Sequence, residues 1–142
     1  MEQNLRPFHL AIPVNDITSN RKFYRDILGC AEGRSSNHWV DFNFFGHQLV
    51  IHLKEQNDSD NSNSNPVDGK EVPVPHFGVV LDMSTFSLLS EKIKNHNIPF
   101  IIEPYLRFEG EVGEQATMFF KDPSGNALEF KAFKNIDQLF AI

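Results

Sequence analysis

Cysteine is nearly missing from this chain, and Cys30 is the single example. One thiol excludes a disulfide within one chain and any thiolate metal cluster built from one chain, so site chemistry falls to histidine and carboxylate side chains. Basic residues are also scarce, with 13 Lys and Arg against 19 Asp and Glu and a net charge of -6. They are scattered rather than gathered into a stripe, which argues against a phosphate-backbone partner and predicts no nucleic-acid binding. No apolar run approaches the ~20 residues needed to cross a bilayer. The opening MEQNLRPF lacks the charged and apolar regions of a signal peptide. These absences predict a cytoplasmic protein with no membrane partner. Trp (1) and Tyr (2) are few, but 14 Phe are many, and 142 residues with 40% hydrophobic content suffice for the core of one domain.

Phe8 to Val14 alternates, with Phe8, Leu10 and Ile12 on one strand face and His9 and Ala11 on the other. Asp16 then reads as the N-cap of a helix through Leu28, with Ile17, Phe23, Tyr24, Ile27 and Leu28 as its apolar stripe and Gly29 as its stop. Three extended pieces follow, roughly Ala31 to Ser36, Trp39 to Phe45 and Gln48 to Lys54, the last two joined around Gly46 and His47. Glu55 to Pro75 is dense in Asn, Ser and Asp with almost nothing to bury, and predicts a flexible linker or long loop.

After it the order begins again. Pro75 to Leu81 repeats the opening strand, with His76 in the place of His9 and Gly78 in the place of Ala11. Asp82 or Ser84 can cap a helix carrying Phe86, Leu89 and Ile93. Phe100 to Phe108 reads as extended, with Leu106 and Phe108 inward and Glu103, Tyr105 and Arg107 on the other face. Thr117 to Phe133 reads as two strands around the turn Asp122-Pro123-Ser124-Gly125. The prediction is an α+β fold of two βαβββ repeats, about 5–54 and 75–134, with a linker over about 55–74.

Glu129 lies in mid-strand on a face with small neighbours. It is either a solvated charge or an acid with a cation to bind. Laying Gly46 to Lys54 on Gly125 to Phe133 puts Val50 opposite Glu129, so the first copy lacks the acid. A single histidine on a strand is ordinarily a hydrogen-bonded structural residue, but His9 and His76 recur at the same phase. Two histidines and one carboxylate form the set that holds a divalent metal on one side and leaves other coordination positions open. His38, His47 and His96 fall at or near turns and read as solvated. His52, Tyr105 and Arg107 are candidate catalytic groups for proton transfer and for steadying an anionic substrate, and Lys131 shares the face of Glu129.

The paired histidine strands, the DPSGNALEF hairpin and the βαβββ duplication resemble the vicinal oxygen chelate superfamily from about Phe8 to Phe133. That group includes glyoxalase I, extradiol dioxygenases, fosfomycin-resistance enzymes, methylmalonyl-CoA epimerase and the metal-free bleomycin-resistance proteins. The resemblance implies that each repeat curls into a partial barrel around a metal cleft, with His9, His76 and Glu129 at the matching ligand positions. It also implies a small-molecule substrate and a homodimer, with the site either within one chain or shared between two. Glyoxalase I and the epimerase use a fourth ligand where this chain has Val50, and Gln48 or His52 could replace it only if the strand register slipped. Three ligands resemble instead the Fe(II) extradiol dioxygenases, the favoured reading, or the Mn(II) fosfomycin-resistance transferases. A Zn(II) or Ni(II) lyase and a metal-free ligand-sequestering protein remain as alternatives.

Overall fold

The computed structural model describes residues 5–55 and 63–142. The chain divides into two compact units, Met1–Asp58 and Ser59–Ile142. In the first, β1 (His9–Val14), α1 (Ile17–Lys22), β2 (Ala31–Ser35), β3 (Trp39–Phe44) and β4 (His47–Leu53) follow the predicted βαβββ order. The sheet order is β1-β4-β3-β2, with β1 parallel to β4 and the other pairs antiparallel. Asp16 caps α1, its side chain accepting from the Ser19 amide at 2.8 Å. The predicted helix to Leu28 continues past α1 as a π-helical turn, Phe23–Ile27, closed by the Leu28 amide donating to the Phe23 carbonyl. The wider turn buries Phe23, Tyr24 and Leu28 together.

In the second unit, β7 (Val80–Leu81), α2 (Met83–Asn95), β8 (Phe100–Arg107), β9 (Gln115–Lys121) and β10 (Ala127–Phe133) repeat that order, in the sheet β7-β10-β9-β8. Asp82 is the cap, accepting from the Thr85 amide, and Phe86, Leu89 and Ile93 are the buried stripe of α2. Met118, Phe120, Leu128 and Phe130 are fully buried. Each such side chain contributes about 1.5–3 kcal/mol of transfer free energy, so this strand pair is a principal support of the unit. Asp122 shapes its turn by accepting from the Ser124 and Asn126 amides.

Three expectations need correction. The strand predicted from Pro75 is regular only over Val80–Leu81; upstream it survives as a single bridge of Phe77 to Leu128. Leu106 and Phe108 are not inward but 46% and 45% exposed. The register of β8 shifts between Ile102 and Tyr105, across Pro104, and inverts the alternation that was counted straight through it. The predicted linker is the third case. Its residues 56–62 lie outside the described residues, but Asn63–Val67 (β5) and Lys70–Val74 (β6) pair as an antiparallel hairpin. Asp68 and Gly69, at φ 52 and 74°, supply the left-handed turn that an Asp-Gly pair favours. Val72 is only 6% exposed and packs with Ile102 and Phe119, backed by Val67 and Tyr105. These apolar residues anchor a stretch whose average composition is polar.

No helix among the described residues is long and apolar enough to cross a membrane.

Candidate functional site

Strand register places the candidate residues. In the first unit His9 pairs with Gln48 and Ala11 with Val50. In the second, Phe77 pairs with Leu128 and Val80 with Lys131, which sets Gly78 beside Glu129 in the same relation. The register has not slipped, so Val50 does occupy the position equivalent to Glu129, and it is 5% exposed. The smallness of Gly78 has a backbone origin. A Cβ there would stand 1.6 Å from the Glu129 carbonyl oxygen, so glycine lets the two backbones meet.

His76 and Glu129 come together, Nε2 to Oε1 at 3.2 Å. His76 Nδ1 lies 2.6 Å from the Pro73 carbonyl oxygen. That oxygen can only accept, so Nδ1 carries a proton, and Nε2 is the nitrogen turned toward the carboxylate. The contact is attractive with either a proton on Nε2 or a cation between the two groups. Phe119 stands edge-on to the ring at 5.0 Å between centroids. The Thr117 hydroxyl donates to Glu129 Oε2 at 2.5 Å, and Lys131 Nζ lies 3.9 Å from Oε1.

In the first unit His9 is exposed on β1, and its Nδ1 donates to Gln48 Oε1 at 2.9 Å. The amide of Gln48 turns its Nε2 to Asp41 Oδ2 at 3.5 Å, which aims its oxygen at the histidine. Both repeated histidines are therefore held through Nδ1, which leaves Nε2 as the nitrogen free to meet a carboxylate, a proton or a cation. Imidazole nitrogen and carboxylate oxygen are donors suited to Fe(II), Mn(II) or Zn(II), so the residues fit such an ion. His9 belongs to one unit and His76 and Glu129 to the other. Among the described residues no group of three or more His, Cys, Asp and Glu side chains gathers as a metal site.

His52 is exposed on β4, opposite Pro13 and Trp39. His47, expected to be solvated, accepts the Phe8 amide at Nδ1, 2.8 Å away. Tyr105 and Arg107 share a partner that the sequence did not suggest: Tyr105 Oη donates to Asp68 Oδ2 at 2.9 Å and Arg107 Nε to the same oxygen at 2.5 Å. These two bonds, Tyr105 first, hold the Asp68 carboxyl below its ordinary 3.8. Burial, then the hydrogen bond to Asp68, pushes the Tyr105 phenol above its ordinary 10.0. The turn of the hairpin is thereby latched to β8.

This latch has a pH window. A depressed carboxyl stabilises the fold above its unfolded pKa and loses that contribution as pH falls through the folded value. Hydrogen exchange of the amides of residues 63–74 is expected to be faster in Asp68→Asn than in wild type at neutral pH. The difference should begin to shrink as pH falls past 3.8 and vanish below the lower value that the folded carboxyl holds. A difference unchanged by acid would refute the latch.

Thr117, Asp68 and the Pro73 carbonyl were all missed from sequence, and Gln48 was weighed only as a substitute ligand. Thr117 was within reach of the argument. Counting outward from the Asp122 turn pairs Glu129 with Phe119 and Lys131 with Thr117, which puts the hydroxyl on the face of the acid.

The comparisons follow this geometry. Residues 6–130 match the model of the Glyoxalase/Bleomycin resistance protein/Dioxygenase superfamily. A solved glyoxalase/bleomycin resistance protein/dioxygenase from Alicyclobacillus acidocaldarius is 34% identical over 99% of this chain and 100% of its own, with a TM-score of 0.78. The fosfomycin resistance protein FosX of Listeria monocytogenes is 17% identical, with a TM-score of 0.67 over 97% of this chain and 98% of its own. Lactoylglutathione lyase from Agrobacterium tumefaciens is 16% identical, with a TM-score of 0.66 over 99% of this chain and 100% of its own. These last two share the fold. No curated protein matches the chain. By the family match, the duplicated βαβββ order and the likeness to the Alicyclobacillus protein, the chain belongs to the glyoxalase/bleomycin resistance protein/dioxygenase superfamily.

Proposed function

We propose that the protein is a divalent-metal-dependent enzyme in which His9, His76 and Glu129 are the ligands, and that it is an extradiol-type dioxygenase using Fe(II) on a small substrate with two adjacent oxygens. The observation that carries the reading is His76 Nε2 held 3.2 Å from Glu129 Oε1 while Nδ1 is committed to the Pro73 carbonyl. A carboxylate whose side chain is 11% exposed has little water around it, and a cation beside Oε1 would add to the balance that Thr117 and Lys131 supply. A metal bound there would supply Lewis acidity toward a substrate hydroxyl and, as Fe(II), electron transfer to O₂.

The chain does the positioning. Pro73 and Gln48 fix the proton of each histidine on Nδ1. Phe119, packed with Ile102 and Val72, stands edge-on to His76 and steadies its ring. Lys131, beside Glu129, steadies negative charge on a substrate oxygen, and the exposed His52 is the proton carrier. Tyr105 and Arg107 take part in proton transfer and charge stabilisation only when Asp68 releases them.

The likeness to FosX and to lactoylglutathione lyase favours a second reading, a Mn(II)-dependent thiol addition or lyase reaction on the same ligands. Oxygen uptake separates the two. Fe(II)-loaded protein is expected to consume O₂ with at least one member of a catechol panel. Thiol consumption by Mn(II)-loaded protein with fosfomycin, without oxygen uptake, would overturn the first reading in favour of the second. Protein purified without chelator that holds no metal yet binds a ligand would end both.

A further inference from the structure

Glu129 has two carboxylate oxygens in different surroundings. Oε1 faces His76 Nε2 at 3.2 Å, and Oε2 accepts from the Thr117 hydroxyl at 2.5 Å. Thr117 is 1% exposed and sits in β9 between Tyr105 of β8 and Lys131 of β10, so its backbone is fixed on both sides. A β-branched side chain has little freedom about χ1, and a hydroxyl given to a carboxylate at this distance makes a strong charge-assisted bond. A third group near the acid is a weaker holder. Lys131 Nζ is 3.9 Å from Oε1 on a flexible side chain that is 33% exposed.

We propose that Thr117 is a positioning residue that makes Glu129 a one-oxygen donor, committing Oε2 to its own hydroxyl and presenting Oε1 alone beside His76. The inference rests on the reading of Glu129 as a metal ligand and deepens it. An acid that offers one oxygen occupies one coordination position, and one that offers both can occupy two. Thr117 thus preserves room for a substrate that binds through two oxygens, and it does so without touching the substrate.

The test pairs Thr117→Val, which keeps the shape and removes the hydroxyl, with Thr117→Ser, which keeps the hydroxyl. Mn(II) binding is measured by calorimetry, and metal-free crystal structures of all three proteins give the orientation of Glu129. In Thr117→Val we expect Glu129 to turn away from His76 and Mn(II) affinity to fall about tenfold to a hundredfold, the usual effect of removing a supporting residue. Thr117→Ser should match the wild type in both measurements, which separates the hydroxyl from the packing of β9. Wild-type affinity in Thr117→Val with Glu129 unmoved would overturn the proposal, as would loss of affinity in Thr117→Ser equal to that in Thr117→Val. If the wild type itself binds no Mn(II), the ligand reading fails separately, and the crystal structures still decide whether Thr117 orients the acid.

Discussion

Glu129→Ala should abolish stoichiometric metal binding, with Mn(II) affinity falling by more than the about 100-fold upper range for a supporting residue. The substitution removes the only charged donor of the proposed set and leaves His76 Nε2 facing no carboxylate. It also strips the buried Thr117 hydroxyl of its acceptor, at a cost of about 1–3 kcal/mol. The protein should therefore lose its metal before it loses its fold. Circular dichroism would verify the fold, and atomic absorption on protein purified without chelator would read the loss. The same variant answers the assembly question. Mixed with His9→Ala chains, it regains metal and activity if a site takes ligands from two subunits of a homodimer, and regains neither if each site is built from one chain. Retained metal in Glu129→Ala would remove the acid from the ligand set.

Gly78→Ala is expected to be among the most destabilising single substitutions in the second unit. The added methyl would lie 1.6 Å from the Glu129 carbonyl oxygen and 2.6 Å from its carbonyl carbon, and both are backbone atoms that no rotamer change can move. The Glu129 amide donates to the Phe77 carbonyl at 2.8 Å and the Lys131 amide to the Val79 carbonyl at 3.3 Å, so relief requires pulling apart the pairing that flanks the glycine. Overpacking of a fixed site costs about 1–3 kcal/mol, occasionally more. We expect the upper end, a fall in melting temperature on the order of 10 °C. His76 leads into that same stretch, so metal affinity should fall with stability. Ala11, the equivalent residue of the first unit, already carries a methyl beside Val50, and Ala11→Gly should produce no comparable loss. A Gly78→Ala protein with wild-type melting would contradict the close approach.

The repeat was legible because duplication is written in residue types as well as in pattern. Histidine, small residue and apolar partner recur in the two opening strands, and a glycine aligns the two closing strands so that Val50 falls on Glu129. The caps at Asp16 and Asp82 were legible for a similar reason, since a carboxylate accepting a backbone amide is a local event that needs no tertiary contact. What escaped was set by neighbours distant in sequence. The polar average over residues 55–75 hid Val67 and Val72, whose partners are Ile102, Tyr105 and Phe119. With the hairpin hidden, Tyr105 and Arg107 read as free groups, although Asp68 engages both. The shift at Pro104 broke a parity count that assumes a regular strand. The support around the candidate residues was not readable: the Pro73 carbonyl carries no side-chain signal, and Thr117 matters only through its diagonal position across the strand pair.

Val50 has a consequence for how the two copies can diverge. Its cross-strand neighbour is Asp41, whose carboxylate already engages the Gln48 amide that holds His9. An acid arising at 50 would place two carboxylates directly opposite one another, a pairing that destabilises a sheet, and would compete with Asp41 for the same amide. With Asp41 and Gln48 holding His9, an acid at 50 would carry a penalty unless a cation offset it. The asymmetry of the duplicated chain is in this sense self-reinforcing: the neighbours of Val50 resist an acid there, whereas Glu129 has a hydroxyl and an ammonium beside it.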